Sequence, residues 1–470
     1  MRKTLMLLAA AMSLTTSEAK ITLPSLVSDG MVLQQKSYAC VWGTTTHSWS
    51  KVKITSSWSD EIVACKADGD GHWMASIPTP AASNKPQTLT ISDGETTTVN
   101  NVLVGEVWLA AGQSNMEMPL RGFDNCPIEN SIETILSADT YQNVRFFTVP
   151  KEQSHVPQSD CKGEWRHSSA REAVNFSATA FHFATTLNRT LHVPVGIIVC
   201  AYGGSRVESW MPRELLENYA DIDLTVKGME RTITWERPML MYNAMFRTIN
   251  RFTYKGVIWY QGESNVGHVD TFAERMSAMV TQWRKELGQG ELPFYTVEIA
   301  PYSGYGGNGA LLREQQHIVA RRIANAACIS TNDLAYDYEG RQIHPCQKRQ
   351  VGQRLALTAL NKTYGQWWLT CEGPTYKDMR IEGNKMILSF DNASGGFSRL
   401  DGIKGFEVAG EDRVFHPADS IVVGEEHTIT LSSREVNHPI AARYCFHDFM
   451  IGNLAGAAGL PVVPFRTDKW

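Results

Sequence analysis

The sequence predicts an α/β protein: a doubly wound parallel sheet with an N-terminal and a C-terminal β-sandwich-like domain. Three observations lead there. Apolar runs of strand length recur between residues 103 and 365 without polar alternation, which implies strands buried on both faces. Helical patterns lie between those runs. Before and after this region the texture changes to short segments rich in β-branched and aromatic residues, broken by Gly, Pro, Asp and Ser.

At the N-terminus, Arg2 and Lys3 precede the short apolar run from Leu5 to Leu14, and Ser17-Glu18-Ala19 supplies small residues where a signal peptidase reads. Residues 1–19 therefore read as a secretory signal cleaved after about Ala19, and the mature chain is expected in the periplasm or outside the cell. No cysteine follows the run to carry a lipid anchor, and no later stretch reaches the roughly 18 apolar residues of a membrane span.

Residues 20–102 contain "MVLQQ", "ACVWGT", "KVKITSSW", "HWMASIP" and "QTLTISDG", the strands of a small all-β domain. The α/β region, residues 103–365, starts with "VLVGEVWLAA" (102–111) and continues with "VPVGIIVCAYGG" (193–204), "KGVIWYQGE" (255–263) and "LPFYTVEIAP" (292–301). The intervening patterns at 177–191, 270–287, 313–325 and 347–365 have helical spacing. Residues 366–470 return to strand-like segments such as "MRIEGNKMILSFD" and "SIVVGEEHTITLSS", followed by a loop-rich tail.

Composition narrows the function classes. The chain has 470 residues, 43% hydrophobic and 20% charged, as soluble multidomain proteins do. A net charge of −5 with no long basic run argues against nucleic acid and anionic membranes as partners. Nine scattered cysteines show no CxxC or Cys/His zinc spacing, so no metal site is expected; Cys40 with Cys65, and Cys126 with Cys161, are conceivable disulfide pairs by proximity in the chain.

Each of the first three apolar runs ends in a polar, glycine-containing stretch at the carboxyl edge, where open α/β sheets bind ligands. "GQSNM" (112–116) presents Ser114 on a strand-to-helix turn, where helix N–H groups aim at the same point. A serine there becomes a nucleophile only with a base and oxyanion donors in reach. The Gly-Gly of "YGGSRVESW" (202–210) can bring a bare backbone N–H beside a developing oxyanion. "WYQGESN" (259–265) crowds Gln, Glu, Ser and Asn at a strand end, and side-chain amides so placed can donate to an oxyanion. His344 in "GRQIHPCQK" precedes a helix and is suited to act as general base.

Together these stretches resemble the SGNH-type serine hydrolases and, within them, the sialate O-acetylesterase family. The similarity also takes in "LPSLVSDGMVLQQ" near the start and "NLAGAAGLPVVPFRTD" near the end. The resemblance implies an acyl-transfer mechanism with Ser114 as nucleophile and His344 as base, and no cofactor. The oxyanion donors it implies are the Ser114 N–H, the N–H of Gly204 or its neighbour Gly203, and the Gln261 side chain, where simpler members use an Asn. The superfamily often has Asp three residues before the His; here that position is Arg341. Asp337 or Glu339 is then the candidate to orient His344, failing which a backbone carbonyl holds the ring and the site is a Ser-His dyad. Arg206, Trp210, Glu263 and Asn265 are candidates for substrate contact: Arg206 to a sialic acid carboxylate or a surface salt bridge, Trp210 against a sugar ring or in the core, Glu263 orienting its neighbours. The substrate implied is O-acetylated sialic acid or a related acetylated glycan. An esterase for acetylated xylan or another plant polysaccharide and a glycan-binding relic of a hydrolase are the alternatives.

Overall fold

One strand organises the molecule. In the computed structural model, which describes residues 20–470, β1 runs without interruption from Thr96 to Gly112. Its first half is partly exposed and pairs antiparallel with Ser83–Ser92, and its middle pairs parallel with Val32–Gln34. Its second half is wholly buried and enters a parallel sheet. The boundary expected between residues 102 and 103 thus falls inside a single strand. The change from "TTTVNN" to "VLVGEVWLAAG" marks the point where the strand gains a covered second face, not the start of a new one. The expected signal, residues 1–19, lies outside the described residues.

The other strands of the parallel region are β2 (Val144–Thr148), β3 (Trp165–His167), β4 (Val195–Ala201), β5 (Gly256–Tyr260), β6 (Phe294–Val297) and β7 (Ala326–Ile329). They are ordered β3-β2-β4-β1-β5-β6-β7, and only β3 runs antiparallel to its neighbour. Register aligns Gly112 with Ala201 on one side and Tyr260 on the other, so the three polar stretches leave the sheet at one edge.

Five helices matter for the site: α1 (Ser114–Glu117), α2 (Ala178–Leu191), α3 (Val269–Leu287), α4 (Gly309–Arg322) and α5 (Lys348–Lys362). Alternate residues of β1 enter two different cores. Val107, Leu109 and Ala111 join Phe272, Met276 and Trp283 of α3 and Leu312 of α4. Trp108 and Ala110 join Phe181 and Phe183 of α2 and Val351 and Leu355 of α5. That alternation follows from the period of two along a strand, and it explains why the run reads as continuously apolar.

Two four-stranded antiparallel sheets from residues 375–466 share a third core, containing Met386, Leu388, Phe406, Val408, Tyr444 and Phe465. The molecule is a mixed α/β protein with several sheets. All nine cysteines are free. Cys40 and Cys65 lie on strands of different sheets, and Cys126 stands beside His344 instead of Cys161, so closeness in the chain does not bring either expected pair together. Among the described residues no helix is long and apolar enough to cross a membrane.

Candidate active site

Gly112 ends β1 at φ 137°, and a Cβ there would lie 2.1 Å from the Tyr260 carbonyl oxygen. Only glycine lets the chain turn so close to β5. The turn is pinned by the Gln113 N–H, which donates to Tyr260 O at 2.9 Å, and by the Gln113 side-chain oxygen, which accepts from the Gly262 N–H at 3.2 Å. Ser177 accepts from the Ala180 N–H at the start of α2 and donates its own hydroxyl to Met116 O at 2.6 Å. A cap of this kind contributes about 1 kcal/mol, and here it also ties α2 to α1.

Ser114 is half-buried, and its Oγ lies 2.8 Å from Nε2 of His344. His344 sits on the loop before α5. Burial, with the Lys348 ammonium as a second cause, pulls its pKa down to about 4. The ring is therefore neutral at neutral pH and able to accept a proton. Phe123 meets it edge-on at 5.4 Å between centroids.

Among the described residues no carboxylate contacts the other ring nitrogen. Nδ1 faces Cys126 Sγ at 3.8 Å, and that thiol donates to the Gln342 side-chain oxygen at 3.3 Å. Glu339, expected to orient His344, instead accepts from the N–H groups of Tyr336 and Cys346 at 2.8 and 2.9 Å and braces its own loop. Asp337 is exposed on a 3-10 turn and makes no bond to His344. Neither acid orients the base: the turn that carries them directs one carboxylate back to backbone and the other to solvent.

The expected oxyanion donors divide. The Gly203 N–H donates to Glu117 Oε2 at 2.8 Å. Among the described residues Gly204, at φ 79°, has no acceptor for its N–H, and neither does Ser114. The Gln261 amide is committed to other acceptors. The residue is fully buried, and its side-chain NH2 donates to Ser205 O at 3.0 Å and Asn265 Oδ1 at 2.7 Å.

Three of the four residues expected to touch substrate are internal. Trp210 is buried against Trp259 and Trp283, with its indole N–H on Ser205 Oγ. Asn265 accepts from the Val207 N–H and donates to Glu208, which is itself paired with buried Arg275 at 2.8 Å. Glu263 is buried and accepts from Asn115 at 2.5 Å; burial pushes its carboxyl pKa up. Arg206 is half-buried, paired with Glu236 at 2.6 Å and donating to Ser264 O. Sequence patterns identify these residues as polar and clustered, but the packing of α3 and of the 3-10 turn Val207–Trp210 puts them inside.

Other residues touch the partners of Ser114: Trp235 meets Gly204, Glu117 holds the Gly203 N–H and Phe123 meets His344. Trp235, 47% exposed, lies across Gly204, where a Cβ would be 2.3 Å from its ring. A groove of about 310 Å³ is lined by Glu117, Arg121, Phe123 and Lys151. Nothing in the spacing of these side chains marks them in the sequence. Among the described residues no group of three or more His, Cys, Asp or Glu has the arrangement of a metal site.

Residues 104–361 match the family described as carbohydrate esterase, sialic acid-specific acetylesterase. The chain is 28% identical over 426 residues to the sialate O-acetylesterase of Rattus norvegicus, covering 78% of each protein. It is 26% identical over 400 residues to that of Homo sapiens, covering 78% of this chain and 75% of the human one. A solved carbohydrate acetylesterase from Xanthomonas citri superposes with a TM-score of 0.85 at 34% identity, over 96% of this chain and 100% of that one. The matched span carries Ser114, the Gly-Gly turn and His344, and it exceeds half of the sequence: the chain belongs to the sialic acid-specific acetylesterase family of carbohydrate esterases.

Proposed function

We propose that this protein is an exported serine esterase that hydrolyses O-acetyl groups of sialic acids through an acetyl-serine intermediate. The observation that carries the reading is the 2.8 Å contact between Ser114 Oγ and His344 Nε2 at a strand-end turn. His344 Nε2 takes the hydroxyl proton as Ser114 Oγ attacks the acetyl carbonyl carbon. The oxyanion is held by the N–H groups of Ser114 and Gly204, which have no acceptor among the described residues. His344 returns the proton to the departing sugar oxygen, leaving acetyl-Ser114. A water then gives a proton to His344 and attacks the acetyl carbon. Acetate leaves as Ser114 regains its proton. The names and coverage of the rat and human relatives support the substrate class, and the pattern of residues 1–19 supports export.

One observation favours a neutral glycan such as acetylated xylan or another plant polysaccharide. Arg206, a candidate for either a sialate carboxylate or a salt bridge, already has Glu236 at 2.6 Å. The test is acetate release from O-acetylated sialic acid and from acetylated xylan, by the protein and by Ser114→Ala. The proposal expects faster release from the sialic acid and none from the variant. The reverse preference overturns the substrate, and activity retained in Ser114→Ala overturns the mechanism. Failure of an organophosphonate to label Ser114 would favour the glycan-binding relic.

A further inference from the structure

With no acid on its ring, His344 needs another device to hold it against Ser114. The backbone on both sides of the base is clamped. The carbonyl of Ile343, just before it, accepts from Asn115 Nδ2 at 3.1 Å. The carbonyl of Pro345, just after it, accepts from Lys348 Nζ at 2.7 Å. The two clamping side chains also join each other, Lys348 Nζ donating to Asn115 Oδ1 at 2.8 Å. Glu263 Oε1 takes the Asn115 amide from below at 2.5 Å. Asn115, Glu263 and Lys348 are all at most 4% exposed. Asn115 directly follows the nucleophile, so a single hydrogen-bonded unit spans both partners of the dyad.

We propose that Lys348 is a positioning residue for His344: with Asn115 it fixes the loop that carries the base, and Glu263 is the buried counter-charge that balances its ammonium. The lysine thereby replaces, through backbone, the orienting part of what a triad carboxylate does through the ring. It does not replace the electrostatic part. A cation beside His344 opposes the imidazolium that forms during attack, consistent with a ring pKa drawn down to about 4. Burial likewise draws the Lys348 ammonium down to about 8, against the raising effects of Glu263, Glu339, Cys346 and Cys126. The Tyr260 ring also faces this ammonium, at 5.9 Å. On the His344 side the facing groups are Lys348, the Cys126 thiol and the Ser114 hydroxyl.

Geometry and charge therefore pull in opposite directions, and that makes the role testable. Lys348→Met removes both. Misplacing the base is expected to lower kcat by about 100-fold with KM nearly unchanged. Losing the cation is expected to move the His344 titration upward, toward the ordinary histidine value. That titration is read by NMR of the imidazole in a Ser114→Ala background, with and without Lys348→Met. A folded Lys348→Met protein that keeps kcat within about twofold, or whose His344 titration stays put, overturns the proposal. A purely structural lysine would lower the folded fraction and leave kcat of the folded molecules unmoved. Should Lys348→Met fail to fold, Asn115→Ala keeps the question open to test: it removes the Ile343 clamp and should lower kcat about tenfold at constant KM, and an unchanged kcat would again overturn the proposal. The inference rests on the serine-esterase reading, but the NMR titration needs no turnover, so it fails separately from that reading.

Discussion

Two neighbouring strands of the sheet, β1 and β5, end in similar polar stretches, Gly112-Gln113-Ser114-Asn115 and Gln261-Gly262-Glu263-Ser264-Asn265. They lie side by side, since Gly112 and Tyr260 are partners in register. Their fates differ. The first leaves the Ser114 hydroxyl free to meet His344, whereas the second turns Gln261, Glu263 and Asn265 inward, at most 4% exposed. The second stretch is a scaffold for the first: Gly262 holds Gln113, Glu263 holds Asn115, and Asn265 holds the Val207 amide beyond the Gly-Gly turn. A dense polar cluster at a strand end is therefore no sign that it meets the substrate. Buried polar groups need partners, and here most find one in a neighbour, with Gln261 Oε1 and Glu263 Oε2 left without one among the described residues.

The two stretches differ most at Ser114. Ser114→Ala is expected to lower kcat/KM for an activated acetyl ester by about 10⁴-fold with an unchanged denaturation midpoint, measured by acetate release and urea unfolding. Asn265→Ala, in the other stretch, should do the opposite. It strands the Val207 N–H and loosens Glu208 beside buried Arg275, so unfolding free energy should fall by about 3 kcal/mol. The kcat/KM of the folded fraction should change by less than about tenfold. A denaturant titration paired with active-site labelling checks both halves.

The pH profile sharpens the contrast further. His344 acts as a base only when neutral, and its pKa of about 4 puts the acid limb of kcat/KM near that value instead of near 6.5. Activity should hold as pH falls from 7 to 5 and be lost as it passes through the folded-state value. Cys126→Asp, which brings a carboxylate next to Nδ1, should shift that limb upward; an unmoved limb would show that the introduced acid does not reach the ring. The smallest effect is expected at Trp235. Its exposed indole lies over Gly204, and Trp235→Ala should raise KM for an acetylated glycan by about threefold to tenfold while leaving a small activated ester unaffected.

Much of the local structure was legible in the sequence. The helical patterns at 177–191 and 270–287 correspond to α2 at Ala178–Leu191 and α3 at Val269–Leu287, because a long amphipathic period is a strong signal. Strand length alone did not decide legibility: β5 and β6, with five and four residues, lie inside the apolar runs 255–263 and 292–301, whereas β2, β3 and β7, with five, three and four, lie in none of the runs read as strands. In the site, Ser114 and His344 stand out by residue type and by position, Ser114 two residues after Gly112 and His344 directly before Pro345. Lys348 and Cys126 do not. The Lys348 ammonium meets Asn115 across 233 residues of chain, and the Cys126 sulfur meets His344 across 218, distances over which no local pattern carries information.

The sequence by itself determined the alternation of strands and helices, the glycines at Gly112 and Gly204 where the backbone takes a positive φ, and the edge of the sheet from which the polar stretches emerge. These follow from side-chain periodicity and backbone sterics, which act over a few residues. Tertiary structure alone decided which polar side chains stay buried, that β1 passes through two sheets, and that a thiol, not a carboxylate, stands beside Nδ1 of His344. Those outcomes depend on which distant groups arrive to cover a face or to pair a donor, because burial and hydrogen-bond satisfaction are properties of the packed molecule and not of any segment.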